Sequence, residues 1–568
     1  MTRLRDFQGI EGQDFFEMDL GFQSLLKDLL PEEEHSPVFN SLHHCARLVA
    51  GRWNDLAREA STRDHLPRIV KFDRVGAPVE QVDFGSLTRH LRREVAEFGV
   101  LTDVRSEVHK FAMVYLLAHN GEASLNCGLS CTDGLIRAVE ARGSEFLRAT
   151  WLPLMLSVDT PLAGAQFVTE QDGGSDVGAI ETEATPNPDG TWSITGEKWF
   201  CSNPDEYFLV AARPAGAPRG TAGVAIFLVP RVLPDGQINK ISFKRLKDKL
   251  GTQSLPTAEM DFNQATAWAI GEPADGFKTL MNYVIDVSRI HNAANACGIL
   301  HRAFLEARNY AAQREAFGQS IIQYPLIRET LVRLLERLWR YRLLTFKLVA
   351  LVDLHGIVAQ DSSQAMWQRF LVNLAKYRTA VTLTDSVREA MLVFGGNGIC
   401  EDFTVLPRLL RDSMIIETWE GAHNTLCLQI MRDAGRSDLL DRWRSEVSDA
   451  LERWPVDFLS LTRRRFEQAL ARLTATLTRE RLTNRHWSET HARRIVDRSG
   501  ELLELAWMAA AAVRYSESDS TAALLTSAAG YNLLPGEDQF EHPILDALSK
   551  HGLSLIEERP LHVDVSDL

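Results

Sequence analysis

The chain has 568 residues, of which 45% are hydrophobic and 24% are charged, and its formal net charge is -14. This length exceeds what one compact core supports, and the composition excludes an intrinsically disordered chain. The negative charge opposes non-specific attraction to phosphate backbones, so nucleic acid is not the default partner.

The start of the chain carries acidic residues early and has no apolar core of a secretory signal. No run in the sequence approaches the about 20 apolar residues of a membrane span. The seven cysteines are scattered, odd in number and without paired CxxC spacing, which indicates a reducing compartment. Cys127 and Cys131 would share one helical face, and we interpret them as packing residues. We therefore expect a cytoplasmic protein with no membrane partner, and we assign no metal.

The pattern of apolar residues changes along the chain. Helical spacing predicts an N-terminal helical domain over 1–157. Short apolar runs, rich in aromatic and β-branched residues and separated by Gly, Pro, Asn and Asp, predict a central β-domain over 158–276. Long helical patterns then predict a helical bundle over 277–436. An Arg-rich helical stretch predicts an additional C-terminal helical domain over 437–568, so the expected fold class is α+β with several domains.

Two segments of the predicted β-domain are candidates for binding chemistry. In FVTEQDGGSD, Phe167–Asp176, adjacent glycines let backbone amides approach a ligand, and Thr169 and Ser175 supply hydroxyls. An ordinary turn between strands is the alternative. In GEKWFCSN, Gly196–Asn203, two aromatic faces and a serine hydroxyl could contact a flat polar ring, although aromatic pairs in strands also serve core packing.

Further candidates lie in the predicted bundle. In REAFG, Arg314–Gly318, the arginine could reach a pyrophosphate; the alternative is a solvated Arg with a C-terminal Gly cap. The glycine cluster FGGNG, Phe394–Gly398, predicts a tight loop. About twenty residues later comes IETWEGAHN, Ile416–Asn424, which holds two carboxylates.

Together these segments, in this order and spacing, resemble the acyl-CoA dehydrogenase superfamily from about Val158 to Arg432. Within it the sequence resembles the AidB-like, alkylation-response branch, through KWFCS and through PRVLPDGQINKISFKRLKDKLG, Pro230–Gly251. The resemblance implies the acyl-CoA dehydrogenase fold: an N-terminal helical domain, a central β-domain and a C-terminal four-helix bundle. The AidB-like branch adds a helical C-terminal domain, for which this chain has the length.

The resemblance also implies FAD as cofactor. The FAD contacts that it carries to this sequence are Thr169, Gly174, Ser175, Phe200, Ser202, Arg314, Phe317, Gly395, Gly396 and Asn424. In the family, the RxxFG motif reaches FAD across a subunit interface, so a homotetramer is expected. Two positions depart from the family's pattern: Ala422 lacks the family's hydroxyl, and Pro325 stands near a common flavin-binding Gln.

By the same resemblance, Glu420 falls on the family's general base, which removes the substrate's α-proton as hydride moves to flavin N5. Glu417 is the nearest competitor, and an exposed loop carboxylate is the structural alternative. Arg289 matches a family arginine near the base, and a buried ion pair with Asp286 is an equally good interpretation of it. For His423, beside the candidate base, two roles are open: it tunes the pKa of the base or it caps a helix.

Two functions follow. The first is an FAD-dependent acyl-CoA dehydrogenase that passes electrons to an electron-transfer flavoprotein or a similar acceptor. The second is an AidB-like flavoprotein with little dehydrogenase activity that binds DNA and protects against alkylation damage. The second depends on arginines of the C-terminal stretch, for which a solvated helix face or salt bridges are the alternative. These arginines are Arg463, Arg464, Arg465, Arg472, Arg479, Arg481, Arg485, Arg493, Arg494 and Arg498.

Overall fold

The computed structural model describes residues 7–516, 519–534, 542–566 and 568. The chain divides into two compact units that interleave along the sequence. The first unit takes the described residues of Met1–Ala50, Tyr115–His119 and Asn292–Leu568, and the second takes Gly51–Val114 and Asn120–His291. The predicted domain boundaries at 157, 276 and 436 stay predictions.

The N-terminal part is mainly helical, as predicted. Its helices are α1 (Leu20–Leu29), α2 (Glu32–Ala50), α3 (Arg52–Ala60), α4 (Ser86–Glu97), α5 (Glu107–Leu117), α6 (Asn126–Arg142), α7 (Glu145–Thr150) and α8 (Leu152–Met155). An antiparallel hairpin of β1 (Arg68–Phe72) and β2 (Pro78–Asp83), which was not predicted from the sequence, interrupts these helices. Cys127 and Cys131 do share a face of α6, with their Sγ atoms 3.8 Å apart.

A seven-stranded sheet forms the centre of the second unit. Its strands are β3 (Gly164–Phe167), β4 (Glu183–Pro186), β5 (Trp192–Ser202), β6 (Tyr207–Pro214), β7 (Ala225–Pro230), β8 (Ile241–Leu246) and β9 (Thr257–Ala269). The strand order is β3-β6-β4-β5-β9-β7, β8 pairs with β9, and β6 also pairs with β7, so the middle strands form a closed ring. Buried side chains such as Phe167, Phe208, Phe227 and Phe243 fill its core. The predicted β-domain is therefore present.

The rest of the chain returns to helices. They are α9 (Gly276–Thr279), α10 (Asp286–Gln313), α11 (Pro325–His355), α12 (Ser362–Val381), α13 (Leu383–Val393), α14 (Leu406–Thr418), α15 (His423–Arg436), α16 (Leu439–Glu452), α17 (Ser460–Thr476), α18 (Arg479–Thr483), α19 (Arg485–Tyr515), α20 (Thr521–Leu533) and α21 (Pro543–Ile556). A π-helical turn, Leu280–Ile285, precedes α10, and a short hairpin of β10 (Glu315–Ala316) and β11 (Gln319–Ser320) follows it.

The predicted C-terminal helices pack directly on the bundle within the first unit. Helix α19 lies against α11, α12 and α15, whereas α20 and α21 lie against α11. A buried ion network holds α19 in place. The Glu504 carboxylate pairs with Arg340 Nη1 of α11 at 2.7 Å and with Arg378 Nε of α12 at 2.8 Å. Among the described helices, none is both long and apolar enough to cross a membrane.

Candidate functional site

In the second unit, the segment Phe167–Asp176 begins at the end of β3 and forms a loop. Buried Glu170 fixes this loop through its carboxylate. It accepts hydrogen bonds from Lys198 Nζ at 2.6 Å and from the backbone N–H groups of Glu181 at 2.6 Å and Thr182 at 3.1 Å. Glu170 therefore shapes the loop rather than facing a ligand.

The same loop lies against β5, with Gly173 buried and Gly174 open. The Trp199 N–H donates to the Thr169 carbonyl at 2.9 Å, which joins the two predicted flavin-binding segments. Gly174 and Ser175 are exposed. A Cβ on Gly174 would meet only Thr169 Cγ2, at 3.8 Å, so a ligand can approach the backbone there.

A β-bulge in β5 turns Phe200 away from the sheet core. The pairing with β9 shifts between Lys198 and Cys201, and Phe200 within the bulge is 51% exposed. Lys247 Nζ lies 4.7 Å from the centre of the Phe200 ring. The Ser202 hydroxyl is 3.0 Å from that of Thr257. The alternative interpretation of the aromatic pair in this strand as core packing is therefore wrong for Phe200, because half of its surface is exposed.

In the first unit, the hairpin of β10 and β11 presents Phe317 to solvent. Phe317 is 97% exposed with φ of +51°, and Gly318 follows with φ of +96°. The Tyr324 hydroxyl donates to the Ala316 carbonyl at 2.8 Å and steadies the hairpin. Gly318 lies in this turn, beyond the end of α10, so the alternative of a C-terminal glycine cap is wrong. Arg314, between helix and hairpin, is exposed.

The glycine cluster opens a short 3-10 helix, Gly395–Ile399, after α13. Gly395 has φ of +59°, and a Cβ on Gly395 or Gly396 would meet no atom within 4 Å. Tyr310, in the last turns of α10, links this cluster to the Arg314 segment. Its ring stacks on Phe394 at 4.2 Å and its hydroxyl accepts from Asn397 Nδ2 at 3.2 Å.

Glu420 lies in the turn between α14 and α15, in a strained backbone conformation. Its φ is +56°, a left-handed value that costs a non-glycine residue about 1–2 kcal/mol. Strain of this kind persists only where the surroundings over-determine it, and it concentrates at functional sites. Glu417 differs, because it lies within α14 and accepts a hydrogen bond from the Thr384 hydroxyl.

Lys376, which is not among the residues predicted from the sequence, holds the Glu420 turn. This lysine is fully buried in α12, and its Nζ donates to the carbonyls of Glu417 and Gly421, both at 2.9 Å. A lysine inside the apolar helical run LVNLAKYRTAV was the available signal. Such a buried cation needs polar partners, although the sequence does not say which.

His423 does not cap α15, because Ala422 occupies the N-cap position. Its ring meets the Tyr377 ring edge to face at 5.5 Å, and its buried Nε2 has no hydrogen-bond partner among the described residues. Burial, together with the charges of Lys376 and Arg493, lowers the pKa of His423 to about 4. The ring is therefore neutral near pH 7 and adds no positive charge beside Glu420.

Arg289 belongs to the second unit, at the start of α10. It is 4% exposed, and its Nη1 lies 3.5 Å from Asp286 Oδ1. The ion pair considered from the sequence is therefore present. Its catalytic role stays a prediction.

Within each unit, the predicted FAD residues have the exposure and the chemistry that a flavin nucleotide requires. The second unit offers open backbone at Gly174, an exposed ring at Phe200 and a hydroxyl at Ser202. The first offers exposed Arg314 and Phe317, open backbone at Gly395 and Gly396, and exposed Asn424. Exposed aromatic faces with unobstructed amides are what a ring system and a pyrophosphate require.

Family models match two parts of the chain. Residues 165–265 match the acyl-CoA dehydrogenase middle domain, and residues 274–435 match the acyl-CoA dehydrogenase C-terminal domain. Acyl-CoA dehydrogenase family member 11 of Caenorhabditis elegans is 30% identical over 446 residues, which are 75% of this chain and 72% of that protein. AidB of Escherichia coli is 37% identical over 285 residues, which are 49% of this chain and 50% of that protein.

The crystal structure of Caenorhabditis elegans ACDH-11 in complex with C11-CoA is also similar. It superposes with a TM-score of 0.84 at 26% identity and covers 93% of this chain and 92% of its own. The predicted fold, including the additional C-terminal helices, is confirmed.

Proposed function

This chain belongs to the acyl-CoA dehydrogenase family, and we propose that it is an FAD-dependent enzyme that converts a saturated acyl-CoA to the trans-2-enoyl thioester. Members of the family are oxidoreductases that use FAD. An electron-transfer flavoprotein or a similar acceptor would reoxidise the protein. The cofactor, when bound, supplies the hydride acceptor.

The observation that carries the proposal is the Glu420 turn. The resemblance assigns the role of the family's general base to Glu420, whose backbone is strained and whose turn is held by a fully buried lysine. In the proposed reaction this carboxylate takes the α-proton of the thioester. A carboxylate suits the step, because substrate and cofactor would shield it from water and raise its pKa toward the working pH.

The residues that would hold FAD are those predicted from the sequence. Thr169, Gly174 and Ser175 would contact its phosphates and edge, and Phe200 and Ser202 its ring system. Exposed Arg314 and Phe317 support an assembly in which a second copy completes each site, as in the homotetramers of the family. An apolar ring that is 97% exposed in one chain fits such a contact surface.

An anaerobic titration with acyl-CoAs tests the proposal. The FAD-loaded protein is mixed with saturated acyl-CoAs of increasing chain length, and the absorbance of the oxidised flavin is followed. We expect bleaching by one chain-length class, with the enoyl-CoA product identified by mass spectrometry. The matching enoyl-CoAs serve as controls and leave the flavin oxidised. A yellow protein that no acyl-CoA reduces would contradict the proposed activity.

A second candidate, DNA binding in the manner proposed for the AidB-like branch, is supported by exposed arginines. Arg464, Arg472 and Arg494 are exposed on α17 and α19, whereas three others of the stretch pair with acids: Arg463 with Glu467, Arg485 with Glu489 and Arg498 with Glu501. The slope of log K, the DNA-binding constant, against log salt concentration reports the number of phosphate contacts. If the surface binds duplex DNA, changing these three exposed arginines to Gln should lower the magnitude of this slope by about 3.

Arg463 and Arg465 are unsuitable for this test because both are partly buried. Binding is measured by fluorescence anisotropy across a salt series. The matched control changes exposed Arg47, Arg388 and Arg432 to Gln and should leave the slope unchanged. No binding of the unmodified protein at low salt would exclude the DNA candidate.

A further inference from the structure

We infer that Lys376 is a positioning residue for Glu420, an inference that rests on the proposed function. Its side chain lies fully buried in α12, and the two carbonyls that it holds belong to residues on either side of the candidate base. The structure therefore assigns to one cation the task of fixing both ends of the turn.

The first contact completes the end of a helix. Glu417 is in the last turn of α14, where backbone carbonyls lack partners within the helix. The Lys376 ammonium satisfies the Glu417 carbonyl at 2.9 Å, and a positive charge at this end also interacts favourably with the helix dipole. The direction in which the chain leaves α14 is fixed as a result.

The second contact lies on the other side of Glu420. The Gly421 carbonyl accepts from the same ammonium at 2.9 Å, and Gly421 has φ of +108°. Glu420 stands between two anchored points, so it keeps its left-handed backbone even though a non-glycine residue disfavours it. Without the lysine, the turn would relax to backbone conformations that place the carboxylate elsewhere.

The same ammonium acts electrostatically on His423. Burial, followed by the charge of Lys376, keeps the pKa of that imidazole low, so the ring next to the turn stays neutral. Lys376 thus places a positive charge at a fixed point beside the turn, and the charge of Arg493 adds to its effect on His423. Asn292 Nδ2 adds a hydrogen bond to the Ile416 carbonyl at 3.2 Å, outside the anchored turn.

The test compares two buried-lysine variants. Lys376→Met removes the donors and the charge but keeps the length of the side chain. Lys347→Met is the matched control, since Lys347 is largely buried on α11 and its Nζ lies over the Trp507 ring at 4.8 Å. If the methionine variant does not fold, Lys376→Gln, which keeps one donor group, takes its place.

Amide hydrogen exchange gives a measurement that does not depend on the reaction. In Lys376→Met we expect exchange over residues 417–424 to accelerate about tenfold or more, while other segments of the first unit change little. Lys347→Met should leave 417–424 unchanged. Unchanged exchange in Lys376→Met, or equal acceleration throughout the unit, would overturn the positioning role whether or not the protein is a dehydrogenase.

Kinetics provide the second measurement. A displaced base should lower kcat for flavin reduction about 100-fold, with KM for the acyl-CoA within about threefold, because substrate binding does not involve Lys376. A raised KM with unchanged kcat would overturn the inference. If the unmodified protein is not reduced by any acyl-CoA, the proposed function fails, and hydrogen exchange still decides the role of Lys376.

Discussion

Glu420→Gln should abolish reduction of the bound flavin by acyl-CoA, with a rate about 10²- to 10⁴-fold below that of the unmodified protein. The amide has the size of the carboxylate and suits the same turn, but it cannot accept the α-proton. Bound flavin should remain, because FAD contacts are predicted elsewhere. The rate is measured by anaerobic stopped-flow, and cofactor content by absorbance.

Glu417→Gln is the matched control for this prediction. Glu417 is three residues earlier in sequence, but it lies in α14 and accepts a hydrogen bond from Thr384. We expect its replacement to change the rate of flavin reduction by no more than a few-fold. If Glu417→Gln abolishes reduction and Glu420→Gln does not, the assignment of the base is wrong and Glu417 takes the role.

The order of helical and β segments was predictable because it depends on local periodicity. The bundle and the β-domain follow from apolar spacing in the sequence, and the fold followed from motifs in a fixed order. The hairpin of β1 and β2 was missed although RIVKFD and PVEQVD, on either side of Gly76, alternate in the manner of strands. The segments on either side of this hairpin have helical spacing, so the short alternating pattern was assigned to the helical domain.

The geometry around the candidate base was not predictable. Lys376 contacts carbonyls 41 and 45 residues further along the chain, and no local pattern encodes which backbone groups a buried lysine will meet. The bulge that exposes Phe200 depends likewise on how β5 pairs with β9. Sequence therefore identified the residue types at the site, whereas tertiary packing determines their orientation.

Glu504→Gln should destabilise the first unit by about 3–5 kcal/mol, because it removes the buried carboxylate that two buried arginines share. Glu504 is fully buried, with Arg340 at 2.7 Å and Arg378 at 2.8 Å. Glu336 still pairs with Arg340 at 2.7 Å, whereas Arg378 keeps the longer contact with Asp497 at 3.4 Å, so Arg378 loses most. Denaturant unfolding followed by tryptophan fluorescence measures the change, since Trp507 lies on α19 itself.

The stability that Glu504 contributes should depend on pH in a defined direction. Burial raises the pKa of this carboxyl, but the charges of Arg378 and Arg340 outweigh burial and leave the pKa below its ordinary value. A group with a lowered pKa in the folded state stabilises above its unfolded pKa, and this stability is lost as pH falls through the folded value. The difference in free energy of unfolding between the unmodified protein and Glu504→Gln should therefore be largest near pH 7 and become smaller in acid.

Glu489→Gln, on the same helix, separates this buried network from surface pairing. Glu489 is exposed and meets Arg485 at 2.7 Å one helical turn away, a pair of the kind worth about 0.3–0.5 kcal/mol. We expect its midpoint of unfolding to stay near that of the unmodified protein. Equal midpoints for both variants would mean that Glu504 does not anchor α19. A large loss confined to Glu504→Gln would mean that the C-terminal helices depend on the bundle for their stability.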